Sequence, residues 1–342
     1  MKAAVIHQHG GPEVLRYEDL PEPVAQPGEA LVRVRACALN HLDLWTRGGL
    51  PGRSIPFPHV LGNDIAGEIA ALPTPAAGLA VGQRVMLSPG TSCGRCQACL
   101  SGEDSSCRSY KVLGAQIHGG YAEYVRCPLA NVIPIPDALA FETAAAFPLV
   151  YLTAWRMLVT RARLRPGEDV LVWAAGSGVG MASIQIAKHL GARVIATAGT
   201  PAKLELARGL GADEVIDHHK DDVLAEVRRL TGKKGVEIVI EHVGQASWER
   251  SIQALAQRGR LVTCGATTGS AASTDLRYVF SKQLTLMGSY MGSKAELLEA
   301  APLLFRGVLK PVVHAILPLA DARRAHEMME ASEHFGKLVL RP

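Results

Sequence analysis

Four cysteines, Cys93, Cys96, Cys99 and Cys107, fall within the stretch TSCGRCQACLSGEDSSC with spacings Cys-x2-Cys-x2-Cys-x7-Cys. Thiolates at these intervals can enclose one tetrahedral zinc ion, and Gly94, Gly102 and the polar residues between them suit a loop wrapped around a metal. Two disulfides, or four unrelated cysteines, are the alternative arrangements. Four sulfur ligands leave zinc no open position for water or substrate, so one structural ion per chain would brace a lobe at about residues 90–110 and leave the chemistry to other residues. Cys37, Cys127 and Cys264 stand alone. This usage fits a reducing compartment better than a secreted disulfide framework.

A second motif, Ala174-Ala175-Gly176-Ser177-Gly178-Val179-Gly180, follows the strand-like run DVLVW and precedes the helical run MASIQIAKHLG. In that context Gly176, Ser177, Gly178 and Val179 are predicted to cradle a pyrophosphate on backbone amides at a helix N-terminus. An acidic residue about 20 positions on would grip the ribose 2′-hydroxyl of NAD. The sequence there, Ile195 to Thr200, holds no carboxylate, while Thr200 and Lys203 beside Ala198 and Gly199 offer a hydroxyl and a positive charge to a 2′-phosphate. NADP(H) is therefore the expected cofactor; the plain alternative leaves Lys203 as a solvated helix residue. His218, after the third strand-like run, can rim the adenosine site.

The elements that must position these motifs fall into two textures. Up to about residue 135 short β runs such as Ala30–Ala36 and Ala122–Arg126 alternate with Pro- and Gly-rich turns, PEPVAQPGE and RGGLPG among them. From Glu168 onward near-continuous apolar strands alternate with helices, the pattern of a doubly wound parallel sheet. The tail after Gly288 resembles the first third again, so the expected division is 1–150 with 291–342, and 151–290. With 342 residues, a net charge of +4 without basic blocks and no repeat, the chain is expected to bind a small-molecule substrate and neither nucleic acid nor membrane. The apolar stretch Ala138–Val159 is broken by Glu142, Pro148 and Arg156 and reads as core helices. The N-terminus meets Gly10 and Gly11 before any signal-peptide core, so a cytoplasmic location is expected.

The segments GPEVL, ALNHLD, PHVLGNDIAGEI, the four-cysteine lobe, GGYAEYV, AAGSGVG and GRLVTCG occur in an order that resembles the medium-chain dehydrogenase/reductase superfamily over essentially the whole chain. The resemblance is nearest to its zinc-containing alcohol dehydrogenase-like and quinone oxidoreductase-like branches. It implies an α/β fold with a GroES-like, mostly β catalytic domain, a Rossmann domain, and an active site between them. It also places Asn40, Asn63 and Leu149 where zinc alcohol dehydrogenases carry their catalytic ligands. None is a usual zinc ligand, so a catalytic zinc is expected to be absent. ALNHLDLWTRGGLPG and GNDIAG look like the metal-free quinone oxidoreductases, which generally lack the cysteine lobe.

On this resemblance Asn40, Asp43 and Tyr151 are the candidate catalytic residues, orienting nicotinamide and substrate oxygen. Asn40 as a turn residue and Asp43 as a backbone anchor are the structural alternatives. Asn40, His41, Thr153, Val243, Gly265, Ala266, Thr267, Ser289 and Lys337 are carried over as cofactor-pocket positions, and Glu241 as a structural one. The expected activity is hydride transfer from NADPH to a quinone or an α,β-unsaturated carbonyl. A zinc-dependent alcohol dehydrogenase using substitute ligands from Cys37, His41, Asp43, His59 and Asp64 is one alternative, and a non-catalytic NADPH-binding regulatory protein another. Relatives associate through the Rossmann sheet edge, so QLTLMGS is expected at such an edge and the chain in a homodimer or homotetramer.

Overall fold

A computed structural model describes every residue except Pro51 and Arg53; part of the RGGLPG turn therefore lies outside the described residues. The chain folds as two compact units, one of Met1–Leu149, Ser293–Gly307 and Pro311–Pro342, the other of Val150–Gly292 with Val308–Lys310.

The first unit begins with β1 (Lys2–Ile6), β2 (Leu15–Asp19), β3 (Glu29–Ala38), α1 (His41–Gly48), β4 (His59–Val60), β5 (Asp64–Ala71) and β6 (Arg84–Leu87). The cysteine lobe follows, with β7 (Gly90–Thr91), α2 (Gln97–Leu100) and β8 (Lys111–Val112). Next come β9 (Tyr124–Pro128), β10 (Val132–Pro134), α3 (Phe141–Ala145) and α4 (Pro148–Trp155), within which the second unit begins.

That unit alternates β11 (Asp169–Val172), α5 (Gly178–His189), β12 (Arg193–Ala198), α6 (Pro201–Gly209), β13 (Glu214–Asp217), α7 (Val223–Leu230), β14 (Val236–Glu241), α8 (Trp248–Ala254), β15 (Leu255–Thr263), α9 (Leu276–Ser281) and β16 (Thr285–Gly288). The chain then adds α10 (Lys294–Phe305), β17 (Val313–Pro318), α11 (Ala322–Glu330) and β18 (Lys337–Arg341) to the first unit.

In the first unit a seven-stranded sheet runs β10-β6-β5-β3-β18-β17, with β9 also paired to β3. Its register sets Val339 of β18 opposite Ala38 and Asp64 of β5 opposite the same residue, so both strands converge on the end of β3 just before Asn40. Gly67 must lack a side chain there, because a Cβ would lie 2.0 Å from the Arg33 carbonyl oxygen.

The second unit is a six-stranded parallel sheet in the order β13-β12-β11-β14-β15-β16, with the strand order reversing between β11 and β14. Val170, Leu171 and Val172 are wholly buried, as a strand covered on both faces requires. QLTLMGS forms the last strand at one edge. Among the described residues no helix is long and apolar enough to cross a membrane.

Candidate functional site

The dinucleotide turn is built by local chemistry. Ser177 is the N-cap of α5, its hydroxyl accepting from Gly180 N at 2.9 Å. A Cβ on Gly180 would lie 2.4 Å from the Ala174 carbonyl oxygen, so only glycine lets the helix start against the turn. Thr197, wholly buried in β12, accepts from Ala174 N at 3.1 Å and sits 3.1 Å from His218 Nδ1. His242 donates from Nε2 to the Trp173 carbonyl at 2.9 Å and lies 3.4 Å from Ser177 Oγ; burial lowers its pKa and favours the neutral ring.

The residues expected to hold a dinucleotide line up at the carboxyl ends of these strands. Gly176 to Val179 follow β11, Ala198 to Thr200 end β12, and His218 follows β13. Val243 follows β14, Gly265 to Thr267 follow β15, and Ser289 follows β16. Ligands of open α/β sheets bind in this place, where the strand order reverses. Thr200 caps α6 by accepting from Lys203 N at 3.3 Å, and burial lowers the Lys203 pKa. Thr267 donates to the His242 carbonyl, while the Ser289 hydroxyl is buried with no hydrogen-bond partner among the described residues.

Glu241 is a structural group. Its carboxylate accepts from Val243 N, Gly244 N and the hydroxyls of Ser247 and Ser251, all within 3.0 Å, which satisfies the buried charge and ties β14 to α8. Thr153 is buried in α4. Tyr151 is corrected from a pocket residue to a packing residue. It is wholly buried, its hydroxyl accepts from Gln185 Nε2 at 2.9 Å, and Gln185 is itself clamped to both backbone groups of Lys310.

The first unit assembles a separate polar cluster. Asn40 and Asp43 form a reciprocal capping box at the start of α1, with Asn40 N donating to Asp43 Oδ2 at 2.7 Å. Gly62 N donates to Asp43 Oδ1 at 3.0 Å. Burial raises the Asp43 carboxyl to about 7 against the pull of these two amides. Asp43 has no exposed surface, so it is an anchor of ALNHLD and does not face a substrate.

Lys337 also takes a different role from its expected place in the cofactor pocket. Its ammonium, 1 % exposed, donates to Asn40 Oδ1 at 2.5 Å and to Asp64 Oδ2 at 2.9 Å. Asp64 further accepts from Asn40 Nδ2 at 2.9 Å and Leu149 N at 2.7 Å. His41 sits half-buried at the start of α1 against Trp45.

A catalytic zinc ion does not fit the residues at its family position. Leu149 has no side-chain donor atom, both polar atoms of the Asn40 carboxamide are engaged, and Asn63 donates to the Leu113 carbonyl at 2.6 Å. Among the substitute ligands His59 donates Nε2–H to the Gly114 carbonyl and keeps Nδ1 unpartnered among the described residues, but the Asp43 and Asp64 carboxylates are held by backbone amides, Asn40 and Lys337, and burial drives the Cys37 thiol well above its usual range. Among the described residues the one group of three or more metal-ligating side chains is the cysteine lobe.

Zinc does fit that lobe. Zn–S bonds of about 2.3 Å at tetrahedral angles set sulfurs about 3.8 Å apart. Cys93 Sγ lies 3.9 Å and Cys96 Sγ 3.5 Å from Cys99 Sγ, and all four sulfurs lie within 4.8 Å of one another. Amides of Arg95 and Cys96 aimed at Cys93 lower its thiol to about 6, favouring the thiolate that a metal needs. Asp104 accepts from Lys294 N at 3.0 Å, fastening the lobe to the start of α10.

Two buried histidines set the acid stability. Burial lowers His59 to about 4 and His326 to about 3. Both folded values lie below the ordinary 6.5, so their contribution is complete above pH 6.5 and is lost as pH falls through 4 and 3. Asp43 works oppositely, because its raised value adds relative stability as pH falls from about 7 towards 3.8. With these two and His242, whose pKa burial also lowers, set against one buried carboxylate, the unfolding temperature should drop between pH 6.5 and 4. His59→Gln should flatten that slope; an unchanged slope in a calorimetric pH series would contradict the assignment.

Comparison with known proteins agrees with this fold. Residues 26–137 match the alcohol dehydrogenase GroES-like domain, and residues 178–306 match the zinc-binding dehydrogenase family. The quinone oxidoreductase of Homo sapiens is 30% identical over 99% of this chain and 97% of its own length. An NAD-dependent alcohol dehydrogenase of Sulfolobus acidocaldarius is 32% identical over 100% of this chain and 99% of its own. A crystal structure of an NAD-dependent alcohol dehydrogenase superposes with a TM-score of 0.97 at 49% identity, covering all of both chains. The chain belongs to the medium-chain dehydrogenase/reductase superfamily. It is an NAD(P)-dependent oxidoreductase with a GroES-like domain, a Rossmann domain and a four-cysteine cluster compatible with structural zinc.

Proposed function

We propose that the enzyme is an NADP(H)-dependent reductase that delivers hydride to a quinone or an α,β-unsaturated carbonyl without a catalytic zinc ion. The observation that carries this reading is the set Asn40, Asn63 and Leu149 at the family's ligand positions, with the neighbouring Asp64 carboxylate neutralised by Lys337. Without a Lewis acid beside the carbonyl, the acceptor must stabilise incoming charge itself, as quinones and conjugated carbonyls do.

When bound, the reduced nicotinamide supplies the hydride. The Rossmann unit holds the dinucleotide, with Gly176 to Val179 and the start of α5 at the pyrophosphate. Lys337 and Asp64 fix both ends of the Asn40 carboxamide. An amide has two N–H donors, and Asp64 takes one, so the other is assigned to the substrate oxygen. The acceptor gains a hydride and then a proton from solvent; a quinone becomes a hydroquinone.

The lack of a carboxylate at Ala198 to Thr200, with Thr200, Lys203 and His218 nearby, supports a site for the 2′-phosphate. Asp217, which pairs with Ala198 in the register of β12 and β13, is turned to the His219 amide and the Lys220 ammonium. The exposed ends of edge strand β16 support a homodimer or homotetramer. A second reading, an NAD-dependent alcohol dehydrogenase, is favoured by the names of two relatives, one of them 49% identical.

Cofactor titration and an acceptor panel separate the two. NADPH should bind at least about tenfold tighter than NADH, a difference of about 1.4 kcal/mol, and turnover should appear with quinones or enones. Tighter NADH binding, with chelator-sensitive alcohol oxidation, would establish the second reading instead.

A further inference from the structure

Two imidazoles crowd the backbone at the end of β12. A Cβ on Gly199 would lie 2.5 Å from His219 Nε2 and 3.0 Å from His218 Nε2, so glycine alone leaves room for both rings. Their centroids are 4.6 Å apart at an interplanar angle of 79°, and the two Nε2 atoms border the same backbone position. That position lies between Ala198 and Thr200, at the carboxyl edge of the parallel sheet.

Thr197 anchors the inner ring in either protonation state. Its hydroxyl lies 3.1 Å from His218 Nδ1, and a hydroxyl donates to a neutral ring or accepts from a charged one, so Nε2 stays towards Gly199 in both. The cations facing the pair are Lys203 on α6, Arg250 on α8 and Lys220 beyond β13. Two carboxylates are near. Asp217 accepts from the His219 amide and pairs with Lys220, while Asp221 accepts from Asp217 N. Burial, then His219, Arg250 and Lys203, hold His218 below its ordinary range against the pull of Asp217, so its ring is neutral at pH 7. A phosphate dianion set among these groups would favour imidazolium instead.

We propose that His218 and His219 are specificity-determining residues that take up a proton when a 2′-phosphate binds beside Thr200 and Lys203, so that pH sets the preference between phosphorylated and unphosphorylated dinucleotides. This rests on the reading that NADP(H) is the cofactor. The proton comes from solvent, and no bond of the dinucleotide changes. The phosphate's own second ionisation, at about pH 6, has the opposite sign, because a phosphate placed among cations gives its proton up. Net uptake therefore reports the histidines. A group whose pKa is higher in the complex makes binding weaken as pH rises between the two values, by up to about tenfold per pH unit for each full proton. NADH carries no 2′-phosphate and lacks this slope.

Isothermal titration calorimetry on the full chain, with NADPH and with NADH in buffers of different ionisation heat, reads affinity and protons together. Wild type should take up about half to one proton per site with NADPH and almost none with NADH. NADPH affinity should fall at least about fivefold from about pH 6.5 to about pH 8.5, while NADH affinity holds within about twofold. His219 is exposed, so His219→Gln leaves the core intact. It should remove most of the uptake and lower NADPH affinity about three- to tenfold at the lower pH, with NADH affinity unmoved; His218→Gln should act in the same direction. NADPH bound more tightly than NADH with no proton uptake, or with uptake that survives both glutamine variants, overturns the proposal and leaves the cofactor reading standing. NADH bound more tightly at both pH values sinks that reading and the proposal with it.

Discussion

Replacing Lys337 by methionine should destabilise the first unit by about 3–5 kcal/mol, the usual cost of removing one partner from a buried ion pair. The Asp64 carboxylate has no exposed surface, and Lys337 is its only cationic hydrogen-bond partner among the described residues. Two neutral donors, Asn40 Nδ2 and Leu149 N, would remain. They cannot offset the desolvation of a full charge. Lys337→Met combined with Asp64→Asn should recover most of the loss, because the uncompensated charge is gone. Urea midpoints of the single and double variants measure both. A single variant within about 1 kcal/mol of wild type would show that the pair contributes little.

The distances over which the site is built explain what could be read in advance. The cysteine lobe and the dinucleotide turn are local: four sulfurs within fifteen residues, and a strand, turn and helix in continuous order, so spacing alone identifies them. Alternating apolar strands and helices likewise determine the parallel sheet. The polar cluster of the first unit is not local. Lys337 meets Asn40 across 297 positions, and nothing in GKLVL announces that its lysine points inward. The family resemblance alone puts Lys337 with the cofactor and Tyr151 in the pocket, although Gln185 holds the Tyr151 hydroxyl in the interior. His326 had a readable signal. It follows Ala322 by four positions and precedes Met329 by three, so helical periodicity puts it on the buried stripe of α11. Its partners Arg47 and Tyr121 carry no such mark, because their meeting depends on tertiary packing. The Glu241 network was legible only in outline: the position marked a structural acid, but its serine partners required the first turns of α8 to be in place.

Loss of zinc is expected to unfold the lobe while leaving the Rossmann unit able to bind its dinucleotide. The lobe's regular structure consists of the four-residue α2 and the two-residue strands β7 and β8, lengths that cannot persist alone in water. In small zinc domains the metal contributes about 10–16 kcal/mol of apparent binding energy, and that energy is folding energy. The lobe's other fastenings include Asp104 on the start of α10 and Asn131 Nδ2 on the Gly90 carbonyl, contacts that cannot replace four metal–sulfur bonds. Wild type should hold one zinc ion per chain, and Cys96→Ser with Cys99→Ser should hold none. In the double variant trypsin should cut at Arg95 or Arg108 far faster than in wild type, since both flank the ligands. NADP(H) affinity should stay within about twofold of wild type, because the residues assigned to its pyrophosphate and 2′-phosphate lie on the other unit. The two measurements together separate a brace from a catalyst. Undiminished protease resistance in the zinc-free variant would show that the sulfurs hold no structural ion. Two zinc ions per wild-type chain would place a second metal where Asn40, Asn63 and Leu149 offer it no ligand set.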